Sequence, residues 1–276
     1  MFTLSAFADE ISADPQEQID VLKSCGVKHI EFRSILKTNV LALNDQQIDD
    51  FKSLLNKEGF KISAIGSPVG KVRIDEPFVA HLKLFARAIE LCKIFETRNI
   101  RIFSYYPPEG FTGDWQPWRN VVLDRLRSQV DMAAIHDIQL FHENEHRIYG
   151  DSPERLSDLY SSISSPHFKA AFDPANFVFC GYDPWKGWEA SKDHTGHLHI
   201  KDWKKGEDHG SLAGEGDGLM ELIIGDAFKR GYSGFATLEP HLLGGGPTGG
   251  VTGPELFPKA VKSFTNILDR LGAKYQ

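Results

Sequence analysis

The feature that most constrains this chain is an alternation. Short apolar, strand-like runs and longer helix-like runs follow one another eight times along 276 residues. The strand-like runs are Thr3–Ala8, Lys28–Phe32, Phe60–Ile65, Asn99–Ser104, Ile138–His142, Lys169–Phe172, Gly196–Ile200 and Gly234–Leu238. The helix-like runs span Pro15–Ser24, Asp45–Lys57, Pro77–Phe95, Trp118–His136, Pro153–Ser162, Pro184–Ser191, Gly218–Arg230 and Pro254–Leu271. Local chemistry marks their ends. Asp14 before Pro15 reads as an N-cap followed by a first-turn proline, and Gly26 and Gly59 read as stops. Strict alternation predicts parallel strands joined by helical crossovers. Eight such units in this length predict a (β/α)8 TIM barrel, α/β in class, as a single domain over residues 1–276. A doubly wound open sheet is the competing architecture, but it usually has fewer strands. No linker or low-complexity tract divides the chain. The one biased stretch, GGGPTGG at 244–250, reads either as a plain loop after the eighth strand or as a lid over the site.

Composition closes off several classes of function. Net charge is −7, so nothing suggests a general binder of nucleic-acid backbones. No run approaches the roughly 20 apolar residues of a membrane helix, and the N-terminus MFTLSAFADE lacks the basic start of a signal peptide. Cys25, Cys92 and Cys180 lie far apart without a CxxC pair, which reads as reduced thiols in a cytoplasmic protein. Whether the chain forms a homo-oligomer is left open by the sequence.

In a barrel of this kind reactive groups sit at the carboxyl ends of the strands. After the first strand comes Asp9-Glu10. The second carries Glu31 just inside and Arg33 at its end, and the third leads to Lys71. The fourth ends in Ser104-Tyr105-Tyr106, and the fifth in His142-Glu143-Asn144-Glu145-His146. Asp173 and Asn176 follow the sixth; His197, His199, Lys201 and Asp202 belong to the seventh; Glu239 and His241 end the eighth. Strands five to eight thus each end in a carboxylate or a histidine. Like charges do not gather without a cation. Three carboxylates and one imidazole make a hard, oxygen-rich set, which favours Mn²⁺ or Mg²⁺ and admits Co²⁺ or Zn²⁺. Taken singly, each residue has a plain structural role: Asp173 as a turn residue before Pro174, Glu239 as a strand-end ion pair, His199 as a core histidine. Their recurrence at the same place in consecutive units is what points to a metal. Lys71, Arg33, Lys201 and Lys205 are candidates to bind hydroxyls, a carboxylate or a phosphate, with a solvated rim as the alternative. Trp115, Trp118 and Trp203 are candidates to stack on a sugar, with packing under loops as the alternative.

At these residues the chain resembles the sugar phosphate isomerase/epimerase superfamily, the xylose isomerase-like TIM barrels. The resemblance covers essentially the whole chain. It rests on HENE at 142–145, FDPANF at 172–177, HIKD at 199–202, GEGDG at 214–218 and LEPH at 238–241. Within the superfamily it resembles the group holding D-tagatose 3-epimerase, ketoside epimerases and inosose dehydratase. The resemblance implies one divalent ion held by Glu143, Asp173, His199 and Glu239, with Glu143 and Glu239 also the acid/base pair. Glu145 is placed beside the site, to orient neighbours or substrate. Where the hexose epimerases carry a substrate-binding histidine, this chain has Asn176, so the substrate need not be a free ketohexose.

The implied chemistry is removal of a proton next to a carbonyl through an enediolate, with a small-molecule sugar or sugar derivative as substrate. A lyase of the inosose dehydratase type would use the same metal site and then expel a hydroxyl. A third reading, a DNA-repair endonuclease, implies extra histidines after strands three and four. Those ends read SPVGK and FSYY. A fourth, a non-catalytic sugar-binding barrel, sits poorly with a complete ligand set.

Overall fold

The computed structural model describes residues 1–246 and 249–276. Eight parallel strands form a closed barrel: β1 (Thr3–Ala6), β2 (His29–Phe32), β3 (Lys61–Ile65), β4 (Asn99–Ile102), β5 (Gln139–Glu143), β6 (Phe168–Phe172), β7 (Thr195–Ile200) and β8 (Phe235–Leu238). They pair in sequential order, β1 with β8 and β2 and each other strand with its neighbours in the chain, as strand–helix alternation predicts. Among the described residues no helix is long and apolar enough to cross a membrane.

Contacts gather into two compact units, residues 1–63 with 197–276 and residues 64–196. In the first, β8 registers Thr237 against His199 of β7 and Leu238 against Ala6 of β1. Its helices are α1 (Pro15–Ser24), α2 (Asp45–Glu58), α8 (Met220–Lys229) and α9 (Phe257–Leu271). Asp14 caps α1 by accepting from Gln16 and Glu17, with Pro15 in the first turn, and left-handed Gly59 ends α2 as expected. On α9 the buried residues Phe257, Ala260, Val261, Phe264, Ile267 and Leu268 recur at three- and four-residue spacing, one apolar stripe.

The unit 64–196 holds β4, β5 and β6, in register Ile102–His142 and Glu143–Ala171. Its helices are α3 (Phe78–Ile94), α4 (Arg119–Ile135), α5 (Pro153–Ser162), α6 (Pro174–Cys180) and α7 (Pro184–Ser191). Aromatic packing seats the last two: Phe172 lies 5.1 Å from Trp188 and 5.7 Å from Phe177 between ring centroids.

Two stretches differ from the expectation. The first strand stops at Ala6 rather than Ala8, because Ala8–Glu10 turn into a 3-10 helix that carries Asp9 and Glu10. The FDPANF stretch, expected as a strand end and loop, instead opens α6. Asp173 is its N-cap, Pro174 its first residue and left-handed Gly181 its end. Of the glycine-rich stretch 244–250, Pro247 and Thr248 lie outside the described residues. Gly245–Gly246 and Gly249–Gly250 pair as a short antiparallel ribbon.

Candidate functional site

In the unit 64–196 the site is built from the ends of β5 and β6. Glu143 closes β5 and is 2 % exposed, so its charge needs partners. Arg101, inside β4, places a guanidinium nitrogen 3.1 Å from Glu143 Oε2. The Asn176 amide donates to Glu143 Oε1 at 3.2 Å and to the Asn144 carbonyl at 2.8 Å. Asn144 in turn grips the backbone of Asp173, donating to its carbonyl at 2.7 Å and accepting its N–H at 2.9 Å. Asp173 accepts the Asn176 N–H at 3.1 Å as the cap of α6. The turn role is therefore real, and it coexists with a second property. A carboxylate oxygen of buried Asp173 lies within 4.8 Å of one of Glu143.

In the unit of residues 1–63 and 197–276 the groups come from β1, β2, β7 and β8. Glu31 is buried in β2, and its Oε2 lies 2.8 Å from His197 Nε2 and 3.2 Å from His199 Nε2. Burial opposes its ionisation, yet His199 and His197 hold its carboxyl well below the usual range. With Nε2 of His199 turned to Glu31, its Nδ1 faces Glu239 Oε2 at 3.4 Å. That oxygen accepts no hydrogen bond among the described residues. The other oxygen of Glu239 accepts from Arg33 Nη1 at 2.8 Å. Burial pushes the Glu239 carboxyl up, but the charges of Lys201, His241, His199 and Arg33 leave it well below its ordinary value.

Arg33 is held by two further contacts. Its Nε donates to Asp9 at 2.8 Å, and its guanidinium lies 4.2 Å above the Phe7 ring. Glu10, carried by the turn after β1, accepts the His241 N–H at 2.8 Å and the Thr252 hydroxyl at 2.7 Å. Its Oε1 lies 3.0 Å from His241 Nδ1. Burial alone would discharge both partners. Instead His241 and Arg33 lower Glu10, and Glu10 raises His241.

The structure thus brings Glu143 and Asp173 together in one unit, and His199 and Glu239 in the other. These buried carboxylates and the imidazole are groups able to ligate a cation, a hard donor set of the kind that suits Mn²⁺ or Mg²⁺. His199 turns Nε2 to Glu31 and Nδ1 toward a Glu239 oxygen that accepts no hydrogen bond among the described residues, and once the imidazole gives up its Nδ1 proton that nitrogen is a lone pair. Two such atoms in contact are what a cation between them would satisfy.

The residues expected to bind substrate have these places. Lys71 pairs with Glu145 at 2.7 Å and lies 4.4 Å above the Phe103 ring. Arg33 and Asn176 touch the carboxylates of Glu239 and Glu143 respectively. Lys201 is buried, 7 % exposed. Lys205 is exposed, and Trp203 is buried, donating its ring N–H to the Glu207 carbonyl at 3.0 Å. The HIKD and GEGDG motifs meet in a clasp: Asp202 accepts backbone N–H bonds from Gly214, Gly216 and Gly218 at 2.8–3.0 Å. Sequence reasoning missed Arg101 and gave Glu31 no role. The available signal was a charge in the middle of an apolar strand, NIRIF and HIEF, which must find a buried partner.

The sequence matches the family of xylose isomerase-like TIM barrels over residues 19–265. The chain belongs to that family. No protein of curated function matches it significantly in sequence. Among solved structures it is similar to a D-tagatose 3-epimerase-like protein, with 15 % identity, a TM-score of 0.77 and 98 % of both chains covered. A xylose isomerase-like TIM barrel protein from Mycobacterium smegmatis, solved in complex with magnesium, is 17 % identical, with a TM-score of 0.74 and coverage of 99 % of this chain and 97 % of that one. A probable 3-DHS dehydratase from Bacillus anthracis is 17 % identical, with a TM-score of 0.73 and coverage of 96 % and 98 %. At these identities the likeness is one of fold. The neighbours so named include a protein described as epimerase-like and a probable dehydratase.

Proposed function

We propose that the chain is a divalent-metal-dependent isomerase or epimerase of a sugar or sugar derivative, and that Glu143, Asp173, His199 and Glu239 hold its one metal ion, Mn²⁺ or Mg²⁺ before Co²⁺ or Zn²⁺. The observation that carries this is the repetition of buried donors at the carboxyl ends of four consecutive barrel strands, β5 to β8. When bound, such a cation stabilises negative charge on a substrate oxygen as the neighbouring carbon loses its proton.

Glu143 and Glu239 are the two bases. They end strands that are not adjacent, and inversion at a carbon requires a base for each of its faces. Each has a fixed cationic partner, Arg101 at 3.1 Å from Glu143 and Arg33 at 2.8 Å from Glu239. Asn176 holds the Glu143 carboxylate in place through its amide. Lys71 and Glu145, paired at the rim, are donors and acceptors for substrate hydroxyls, with Lys201 deeper in.

The test is metal analysis of the purified protein followed by solvent deuterium exchange on ketoses, keto-glycosides and inososes. Exchange at one carbon without loss of water is expected. Glu143→Gln and Glu239→Gln keep the size but remove the base, and each should cut turnover by about 10²- to 10⁴-fold. A new unsaturated carbonyl chromophore would instead identify a dehydratase. Turnover of the true substrate with no exchange of carbon-bound hydrogen would exclude this chemistry.

A further inference from the structure

The unit 64–196 carries a cleft of about 820 Å³, bordered by Tyr106, Phe111, Trp115, Glu145, Arg147 and Arg73. It begins where the candidate site ends. Glu145 lines it two residues beyond Glu143, paired with Lys71. The Tyr106 phenol, pushed upward by burial, feels the charges of Lys71, Glu145 and Glu143. Its volume is at the upper end of the roughly 300–1,000 Å³ that take a drug-sized ligand, and far exceeds one sugar ring.

The walls are aromatic and rigid. Phe111 packs on Trp115 with centroids 4.9 Å apart, and Trp115 meets Tyr149 edge-on at 5.3 Å. Tyr106 is anchored by backbone bonds to Val72 and Ile74 at 2.9 and 3.0 Å. Two non-glycine residues beside the cleft, Tyr105 and Arg147, are held at φ of 71° and 68°. Left-handed backbone of this kind is strained for a residue with a Cβ, and it tends to persist where function uses it. The lining is balanced in charge. Arg73 is held by Asp75 at 3.1 Å and Glu109 at 3.6 Å. Glu145 is paired with Lys71 and Asp151 with Arg155, so acidic and basic groups alternate around the lining. Such a cleft has no concentrated positive field for a phosphate. Aromatic faces with a few donors at the edge suit the apolar face and hydroxyl rim of a neutral ring.

Building on the function proposed above, we infer that this cleft seats a second ring of the substrate, so that the chain acts on a neutral glycoside-type sugar derivative rather than on a free monosaccharide. The reacting ring lies toward Glu143. The second ring stacks between Tyr106, Phe111 and Trp115, and Arg147 donates to its hydroxyls.

Binding and catalysis test this separately. Phenyl β-D-glucopyranoside, titrated into the protein, should quench tryptophan emission saturably, D-glucose should not, and Trp115→Phe should abolish the signal. Phe111→Ala and Arg147→Gly should weaken that binding about tenfold or more; glycine suits the backbone of residue 147, so the second variant keeps its fold. In deuterium exchange, the same variants should lower the ratio of kcat/KM for a 3-keto-glucoside over a free ketose by a similar factor, through KM. Equal binding of glucose and the glucoside, or an unchanged ratio in both variants, would overturn the assignment. If no sugar exchanges in the wild type but the glucoside still quenches Trp115 and the variants still weaken it, the cleft stands and the reaction proposed above fails.

Discussion

Glu31 shows how one residue governs another. Its carboxylate takes the Nε2 side of His199, which decides which ring nitrogen of that histidine can face Glu239. Partners that orient a ligating histidine typically contribute 10- to 100-fold in metal affinity. Glu31→Gln should therefore weaken Mn²⁺ binding by about that factor in calorimetric titration. Equal affinities would show that Glu31 serves only to balance His197 and His199. Glu143, Asp173, His199 and Glu239 were legible in the sequence because each stands at the end of its own strand, where position along the chain is enough to place it. Arg101 was not, because its meaning lies in a partner 42 positions away, across the β4–β5 pair.

At the scale of elements, the glycine ribbon after β8 is shaped by what lies against it. A Cβ on Gly250 would overlap the His241 ring, and one on Gly249 would overlap the Arg33 guanidinium. Both side chains belong to the Glu10–Glu239 network, so the bare backbone packs directly on charged groups. Gly250→Ala must push His241 off Glu10. Overpacking of this kind costs about 1–3 kcal/mol, which should appear as a lower melting temperature; an unchanged melt would mean that the ribbon yields without strain. The short helix α6 was hidden for a different reason. Seven residues give no helical period to read, and its cap, Asp173, looked like a strand-end carboxylate because it is one as well.

For the whole molecule, a buried histidine contributes to the loss of stability in acid. His81 accepts the Gly70 N–H at 2.8 Å through Nε2, and burial, with Arg125 nearby, lowers its pKa to about 4. An unfolded histidine titrates near 6.5. As pH falls below about 6.5, the unfolded chain takes up a proton that the folded one refuses. Stability present above that pH is therefore lost progressively down to about pH 4, by at most about 1.4 kcal/mol per pH unit from this residue. His81→Gln keeps an acceptor for Gly70 and removes the titration. Its urea midpoint should fall less between pH 7 and pH 5 than that of the wild type; an equal fall would clear His81 of the effect.

The eightfold alternation, the caps at Asp14 and Gly59 and the placement of polar residues at strand ends are local properties, so the sequence alone determined the barrel, its order and the candidate ligands. Helix and strand periods, and glycine or proline punctuation, are written within a few residues. The charge network was decided only by tertiary structure. Glu10 bonds to His241 and Thr252 across 231 and 242 positions of chain, and Arg33 to Glu239 across 206. No local pattern encodes such a contact. It exists because barrel closure sets β1 beside β8 and removes water from between them, and a charge so buried is tolerated only with its partner in place.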